Sequence, residues 1–251
     1  MAKSGWSTDR GRHREANEDA CLVIPEQNIY MVADGVGGHN GGEFASHAAV
    51  NLAAAYFRKN PIDPAQDAEW LKEHFLTCLR QVNWAIRDLA EKSSKVAGMA
   101  TTMVLTYLAG GNAYVVNIGD SRAYLLRDGV LRQLTEDHTY VNQLIREGAL
   151  TEEEAAVHPN RNMITKALGG EMEVAPDFYQ VQVFEGDILL MCTDGLYNEI
   201  PDGALGGIAT GRTDMQELAE SLVKSANECG GKDNITVVCV QIEKREEEVK
   251  A

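Results

Sequence analysis

Four aspartates stand at the ends of short apolar runs, where a buried strand would meet solvent. Asp34 closes Ile29-Tyr30-Met31-Val32-Ala33 and is followed by Gly35, and Asp194 closes Ile188-Leu189-Leu190-Met191-Cys192-Thr193 and is followed by Gly195. Asp120 follows the run from Ala113 to Gly119, and Asp233 precedes Ile235-Thr236-Val237-Val238-Cys239-Val240. A carboxylate at the rim of a buried sheet is costly unless water, a partner or a cation compensates it. Several rims that converge make an all-oxygen site suited to hard divalent cations. The chemistry this points to is metal-assisted.

Two further segments could serve such a site. Val36-Gly37-Gly38-His39-Asn40-Gly41-Gly42-Glu43 is a glycine-rich loop leading into a helix. It lacks G-K-[ST], so it is not a triphosphate cradle, and its glycines alone read as a turn. His39, beside Asp34, suits a general acid near neutral pH. Arg14-Glu15-Ala16-Asn17-Glu18-Asp19 by itself is a charged loop. Its arginine could nevertheless grip a phosphoryl dianion bidentately, and Glu18 and Asp19 could hold metal-bound waters.

The elements that must position these residues follow from periodicity. Leu22 to Ile24 and Ile29 to Ala33 read as a strand pair, and Glu43 to Arg58 as a helix. From Gln66 to Lys92 the apolar positions Leu71, Phe75, Cys78, Leu79, Val82, Ala85, Ile86 and Leu89 step by three and four, one helical face. Strands are expected at Met103 to Leu108, Ala113 to Ile118, Ala123 to Arg127 and Val130 to Leu134, with hairpin signals at Gly110-Gly111-Asn112 and Asp128-Gly129. Short helices at Tyr140 to Glu147 and Glu152 to Val157, strands near Phe178 to Val183 and Ile188 to Cys192, a helix from Met215 to Glu228 and a strand from Ile235 to Ile242 complete the pattern. Hairpin-linked strands with long helices, lacking regular β-α-β alternation, indicate an α+β fold with mostly antiparallel sheet. Two sheets face to face with helices outside fit this order.

Composition narrows the function. The chain has 251 residues, with 23 basic and 38 acidic side chains and a formal net charge of −15. Such acidity disfavours sequence-independent nucleic-acid binding, and with it a polyanionic substrate. The five cysteines are odd in number and form no C-x-x-C, which fits reduced thiols in a cytoplasmic protein. The N-terminus lacks the apolar core of a signal peptide, and no stretch reaches the roughly 20 apolar residues of a spanning helix. No linker or repeat interrupts the chain, so one domain is expected over residues 3–243, followed by a charged tail at 244–251. Cys239 and Arg245 match the C-x5-R spacing of cysteine phosphatases, but in a β-branched strand that cannot form a phosphate cradle.

Five motifs occur in order: Arg14-x-x-Asn17-Glu18-Asp19, Val32-Ala33-Asp34-Gly35-Val36-Gly37-Gly38-His39, Gly119-Asp120-Ser121-Arg122, Cys192-Thr193-Asp194-Gly195-Leu196 and Lys232-Asp233-Asn234-Ile235-Thr236. Together they resemble the protein phosphatase 2C family of metal-dependent serine/threonine phosphatases, in its small bacterial form. The resemblance spans about Gly5 to Ile242. It implies a central antiparallel β-sandwich flanked by helices on both sides, with a dinuclear Mn2+ or Mg2+ cleft at one end. By this match Asp34 bridges two metals, the Gly35 carbonyl binds one, and Asp194 and Asp233 complete the core. Asp120 corresponds to the ligand of a third, weaker ion, Arg14 to the phosphate-binding arginine, and His39 to the proton donor for the leaving alcohol. Glu18, Asp19 and Asn234 stand behind the ligands, and residues 140–176 correspond to a flap.

The implied reaction is attack of a metal-activated water on phosphoserine or phosphothreonine, with phosphorylated proteins as substrates, a serine/threonine kinase as counterpart, and a monomeric enzyme. The competing reading is a catalytically weak module that binds phosphoproteins, for which loss of a core aspartate would be the sign. One departure stands out: Ala100-Thr101-Thr102 replaces the usual Gly-Thr-Thr, and a methyl there demands ordinary backbone angles.

Overall fold

The computed structural model describes residues 2–37 and 41–244. His39, Arg245 and nearly all of the charged tail expected at 244–251 therefore lie outside the described residues. The strands are β1 (Ala2–Asp9), β2 (Asp19–Ile24), β3 (Ile29–Val36), β4 (Ala100–Thr101), β5 (Met103–Ala109), β6 (Asn112–Ile118), β7 (Arg122–Arg127), β8 (Val130–Gln133), β9 (Asp177–Gln182), β10 (Ile188–Cys192) and β11 (Ile235–Ile242). The helices are α1 (Gly41–Lys59), α2 (Ala68–Lys92), α3 (Tyr140–Arg146), α4 (Glu152–Ala156), α5 (Asp194–Tyr197), α6 (Asp202–Ala209) and α7 (Met215–Cys229).

Two antiparallel sheets face each other. One has the order β1-β11-β10-β7-β8; the other runs β2-β3-β5-β6-β9, with β4 paired to β3. The alternation of strand residues explains the layering. On β3, Tyr30 and Val32 join the core between the sheets, with Val104, Val115, Leu189, Met191 and Val238. Ile29, Met31 and Ala33 face outward into a core closed by α1 and α2. On the other sheet, Tyr124, Leu190, Cys192 and Val237 face a third core closed by α6 and α7. Both central strands are thus buried on two sides, which is why they appear in the sequence as continuous apolar runs. The α+β sandwich with helices on both sides is the fold expected from sequence.

Helix starts follow local chemistry. Asp67 caps α2 by accepting from the Trp70 N–H at 2.9 Å, and Asp214 caps α7 by accepting from Gln216 and Glu217. Leu71, Phe75, Cys78, Leu79, Val82 and Ile86 of α2 are buried as the periodicity requires, whereas Leu89 is 38% exposed. Asn83, a polar residue on the buried face, is used by the chain instead: its amide donates to the carbonyls of Glu171 and Met172 and accepts from the Gly169 N–H. At the Asp128-Gly129 hairpin both residues take positive φ, 52° and 78°, as a tight primed turn needs.

Several elements were not legible beforehand. β1 is an edge strand with only Gly5 buried, and it forms by pairing with β11 from Ala2↔Ile242 to Asp9↔Ile235. The helix α6 carries three glycines and would not stand alone. Ala100 lies in β4, opposite Val36, and needs no unusual angle: the described non-glycine residues with positive φ are Asn28 and Asp128.

Candidate metal centre

The motifs meet at one end of the sandwich because antiparallel pairing brings their strand ends together. The β2–β3 register sets Asp19 opposite Asp34. Across the sandwich, the Thr193 hydroxyl donates to Asp19 Oδ2 at 2.8 Å and accepts from the Thr236 N–H at 3.0 Å, which ties β2 to the ends of β10 and β11. Asn234 is a second tie. Its Oδ1 accepts from the Glu18 N–H at 2.8 Å, and its Nδ2 donates to the carbonyls of Arg10 and Ala16 at 2.9 Å each. The Asp34 backbone is held by the next strand: its N–H donates to the Thr102 hydroxyl at 2.9 Å, and its carbonyl accepts from the Thr101 hydroxyl at 2.8 Å. Thr102 also shares a 2.7 Å hydrogen bond with Ser121, the neighbour of Asp120. Gly35 is required by close approach, since a Cβ there would overlap the carbonyls of Gly42 and Glu18.

The rim is a field of like charge. Burial first, then Asp19, Asp194, Asp120 and Asp233, holds the Asp34 carboxyl well above its ordinary range. Burial pushes Asp19 up to about 7; hydrogen bonds from Thr193 and Thr236 offset part of this, while Asp194 and Asp233 add like charge. Asp120 is raised to about 7 by burial, Asp194 and Asp137. Asp194 is raised to about 6 by burial and Asp233. Glu18 is raised by burial, against the pull of Arg14. Among the described residues, no three His, Cys, Asp or Glu side chains close into a ligand cage. The donor set nonetheless fits a hard cation. It is all carboxylate and carbonyl, it carries excess negative charge, and the Asp19 Oδ1 is buried without a hydrogen-bond partner.

Arg14 reaches this rim from the β1–β2 loop. Its Nη2 donates to Asp233 Oδ2 at 2.6 Å while about half of its side chain stays exposed to solvent. Asp120, 6% exposed, sits in the bend between β6 and β7. A support that sequence reasoning missed holds it there. The Arg122 guanidinium binds Asp137 bidentately, its Nη2 at 2.7 Å and its Nε at 3.0 Å, and lies 3.5 Å above the Tyr197 ring. The Tyr197 hydroxyl donates to the Asp120 carbonyl at 2.9 Å. His138 adds an anchor: its Nδ1 accepts from the Gly119 N–H, and its backbone N–H donates to the Gly119 carbonyl. Next to Asp120 a cavity of about 500 Å³ opens under α3 and α4, with Arg146, Arg161 and Tyr197 among its walls. Of the supporting hydroxyls, Ser121 and Thr193 stood out in the sequence only as neighbours of Asp120 and Asp194, and Thr101 and Thr102 only as part of the Ala-Thr-Thr segment. Cys239, by contrast, is fully buried within β11 and its thiol is raised by burial, so it offers no nucleophile.

Residues 8–236 match the family model described as Protein phosphatase 2C. The chain is 40% identical over 241 residues to the serine/threonine phosphatase stp of Listeria innocua, covering 94% of each protein. It is similar to the crystal structure of the Mycobacterium tuberculosis serine/threonine phosphatase PstP/Ppp, with 36% identity and a TM-score of 0.87 over 97% of this chain and 99% of that one. It is also similar to the catalytic domain of the serine/threonine protein phosphatase PstP solved with two manganese ions, with 34% identity and a TM-score of 0.83 over 97% and 99% of the two chains. With the rim carboxylates, the sandwich that gathers them and these likenesses in agreement, the chain belongs to the protein phosphatase 2C family.

Proposed function

We propose that this enzyme is a single phosphatase domain, residues 3–243, that hydrolyses phosphoserine and phosphothreonine on proteins with divalent cations bound at the sheet rims. The observation that carries the reading is the convergence of Asp34, Asp194 and Asp233 in one like-charged rim beside the unpaired Asp19 oxygen. Asp34, the Gly35 carbonyl, Asp194 and Asp233 would hold two Mn2+ or Mg2+ ions, and Asp120 a third, weaker one. Such ions, when bound, lower the pKa of water and offset charge on phosphoryl oxygens. Arg14 binds the phosphate and spreads its charge, and Asp233 holds the guanidinium in place for that. Glu18, Asp19 and Asn234 fix the ligands from behind, through the Thr193 and Glu18 N–H contacts. His39 is the proton donor to the leaving alcohol by family resemblance.

Residues 140–176 form a flap over the cavity beside Asp120. The substrates are phosphorylated proteins, and the opposing enzyme is a serine/threonine kinase. A monomer in the cytoplasm fits the solvated, acidic surface. Among the described residues, no helix is long and apolar enough to cross a membrane. The alternative of a weak phosphoprotein-binding module is not favoured, since Asp34, Asp120, Asp194 and Asp233 are all present.

The test is phosphate release from a phosphothreonine peptide by the purified chain. Turnover is expected with Mn2+, and its loss with a chelator, while thiol alkylation leaves it unchanged. Turnover that survives chelation but not alkylation would overturn the reading.

A further inference from the structure

The two helices that cover the six-stranded sheet leave a groove on their outer side. Leu52 and Tyr56 of α1 and Val82 and Trp84 of α2 border a cavity of about 720 Å³, far from the carboxylate rim. Trp84 is 69% exposed, more than any other described Trp or Phe, and Leu52 is 37% exposed. An indole held in water beside an apolar trough forgoes burial that a partner could supply.

The charge of the groove runs against that of the chain. Lys59 and Arg80 border it, and no carboxylate does among the described residues, although acidic side chains outnumber basic ones 38 to 23. Along α2 the acidic residues flanking the groove are Glu73, one turn before Thr77, and Asp88, one turn beyond Trp84, which is tied to Lys92 at 2.6 Å. At physiological salt, charges farther than about 8 Å are largely screened, so the local cations and not the net charge set what the groove attracts.

We propose that this groove docks a helical segment of a partner protein whose apolar stripe is flanked by carboxylates. Leu52 to Lys59 spans two helical turns, about 10 Å, which accommodates partner side chains at i, i+3 or i+4, and i+7. Trp84 and Arg80 are the residue types that anchor such contacts. A basic segment would bring like charge onto Lys59 and Arg80. A second copy of this chain docked groove to groove about a two-fold axis would do the same, because each copy presents the same cations. The groove begins ten residues along α1 from Gly42, about 15 Å of helix, so an occupant leaves the cleft open.

Fluorescence anisotropy of a labelled helical peptide tests this, with leucines on one stripe and glutamates beside them. A lysine-for-glutamate version and a scrambled version serve as controls. The full chain is expected to bind the acidic peptide saturably and neither control. Trp84→Ala and Arg80→Glu should each weaken that binding about tenfold or more. Hydrolysis of a small aryl phosphate by both variants should stay at the wild-type level, which shows that they are folded. Equal binding of the lysine peptide, no saturation, or variants that bind like wild type would each overturn the proposal. A dimer seen by sedimentation that Trp84→Ala abolishes would also overturn it, by giving the face to a second copy.

Discussion

Asp34 has its backbone held on both sides, by Thr102 at the N–H and by Thr101 at the carbonyl, so its carboxylate is aimed by the strand ends. Asp194 and Asp233 lie across the sandwich from it. On the proposed reading Asp194→Asn and Asp233→Asn would each delete the charge of a ligand and should lower turnover by at least about a hundredfold, roughly 3 kcal/mol of transition-state stabilisation. Circular dichroism should show the fold retained; near-wild-type turnover at saturating Mn2+ would remove that residue from the core site. Asp120→Ala should keep two tight metals yet lose much of its activity, with more metal needed for what remains. Calorimetry paired with turnover reads both, and an unchanged metal dependence would leave Asp120 a turn residue only. The raised carboxyls also set a pH dependence for the metal-free protein. Asp19 and Asp120 near 7 and Asp194 near 6 stand above the ordinary aspartate value of about 3.9. The folded state then binds more protons than the unfolded one between these limits. The stability this contributes is complete below about pH 4 and is lost as pH rises through 6 to 7. The urea midpoint of chelator-treated protein should therefore fall between about pH 5 and about pH 8, and Mn2+ should raise it most at the higher pH. A midpoint that rises with pH without metal would contradict this electrostatic reading. The aspartates could be read from sequence because each interrupts an apolar run. The roles of Thr193, Thr102 and Tyr197 could not, because hydroxyls are common throughout the chain and only the fold shows which ones hold the aspartates.

At the scale of elements, the strands that carry the site were legible for a physical reason. β3, β6, β10 and β11 are buried along most of their length on both faces, so their sequences are predominantly apolar. β1 and β4 were not legible, since each exists through its partner strand and buries little of its own. The Asp194–Tyr197 turn of helix was hidden for another reason: four residues carry no periodicity. Asn83 makes a prediction at this scale. It sits inside the apolar stripe of α2 and joins that helix to the backbone of Gly169, Glu171 and Met172. Asn83→Ala removes all three hydrogen bonds that tie this segment to α2, and should cost about 1–3 kcal/mol in urea unfolding. An unchanged unfolding midpoint would mean that the segment is held by other contacts.

Over the whole molecule, two sheets from distant parts of the sequence close around one core, and their shared end collects carboxylates separated by up to 214 residues, from Asp19 to Asp233. No local rule brings those positions together. The ordered motifs made the arrangement readable by resemblance, and the antiparallel registers supply its physical cause. The like charge gathered there opposes folding until something neutralises it, so on the proposed reading metal binding would also stabilise the fold. The most direct test is calorimetric titration of Mn2+ into the metal-free chain, beside Asp34→Asn. Two tight sites are expected in the wild type, with loss of tight binding in Asp34→Asn, because on the proposed reading both ions would depend on its carboxylate. An Asp34→Asn protein that still binds two Mn2+ ions as tightly as wild type would contradict the account.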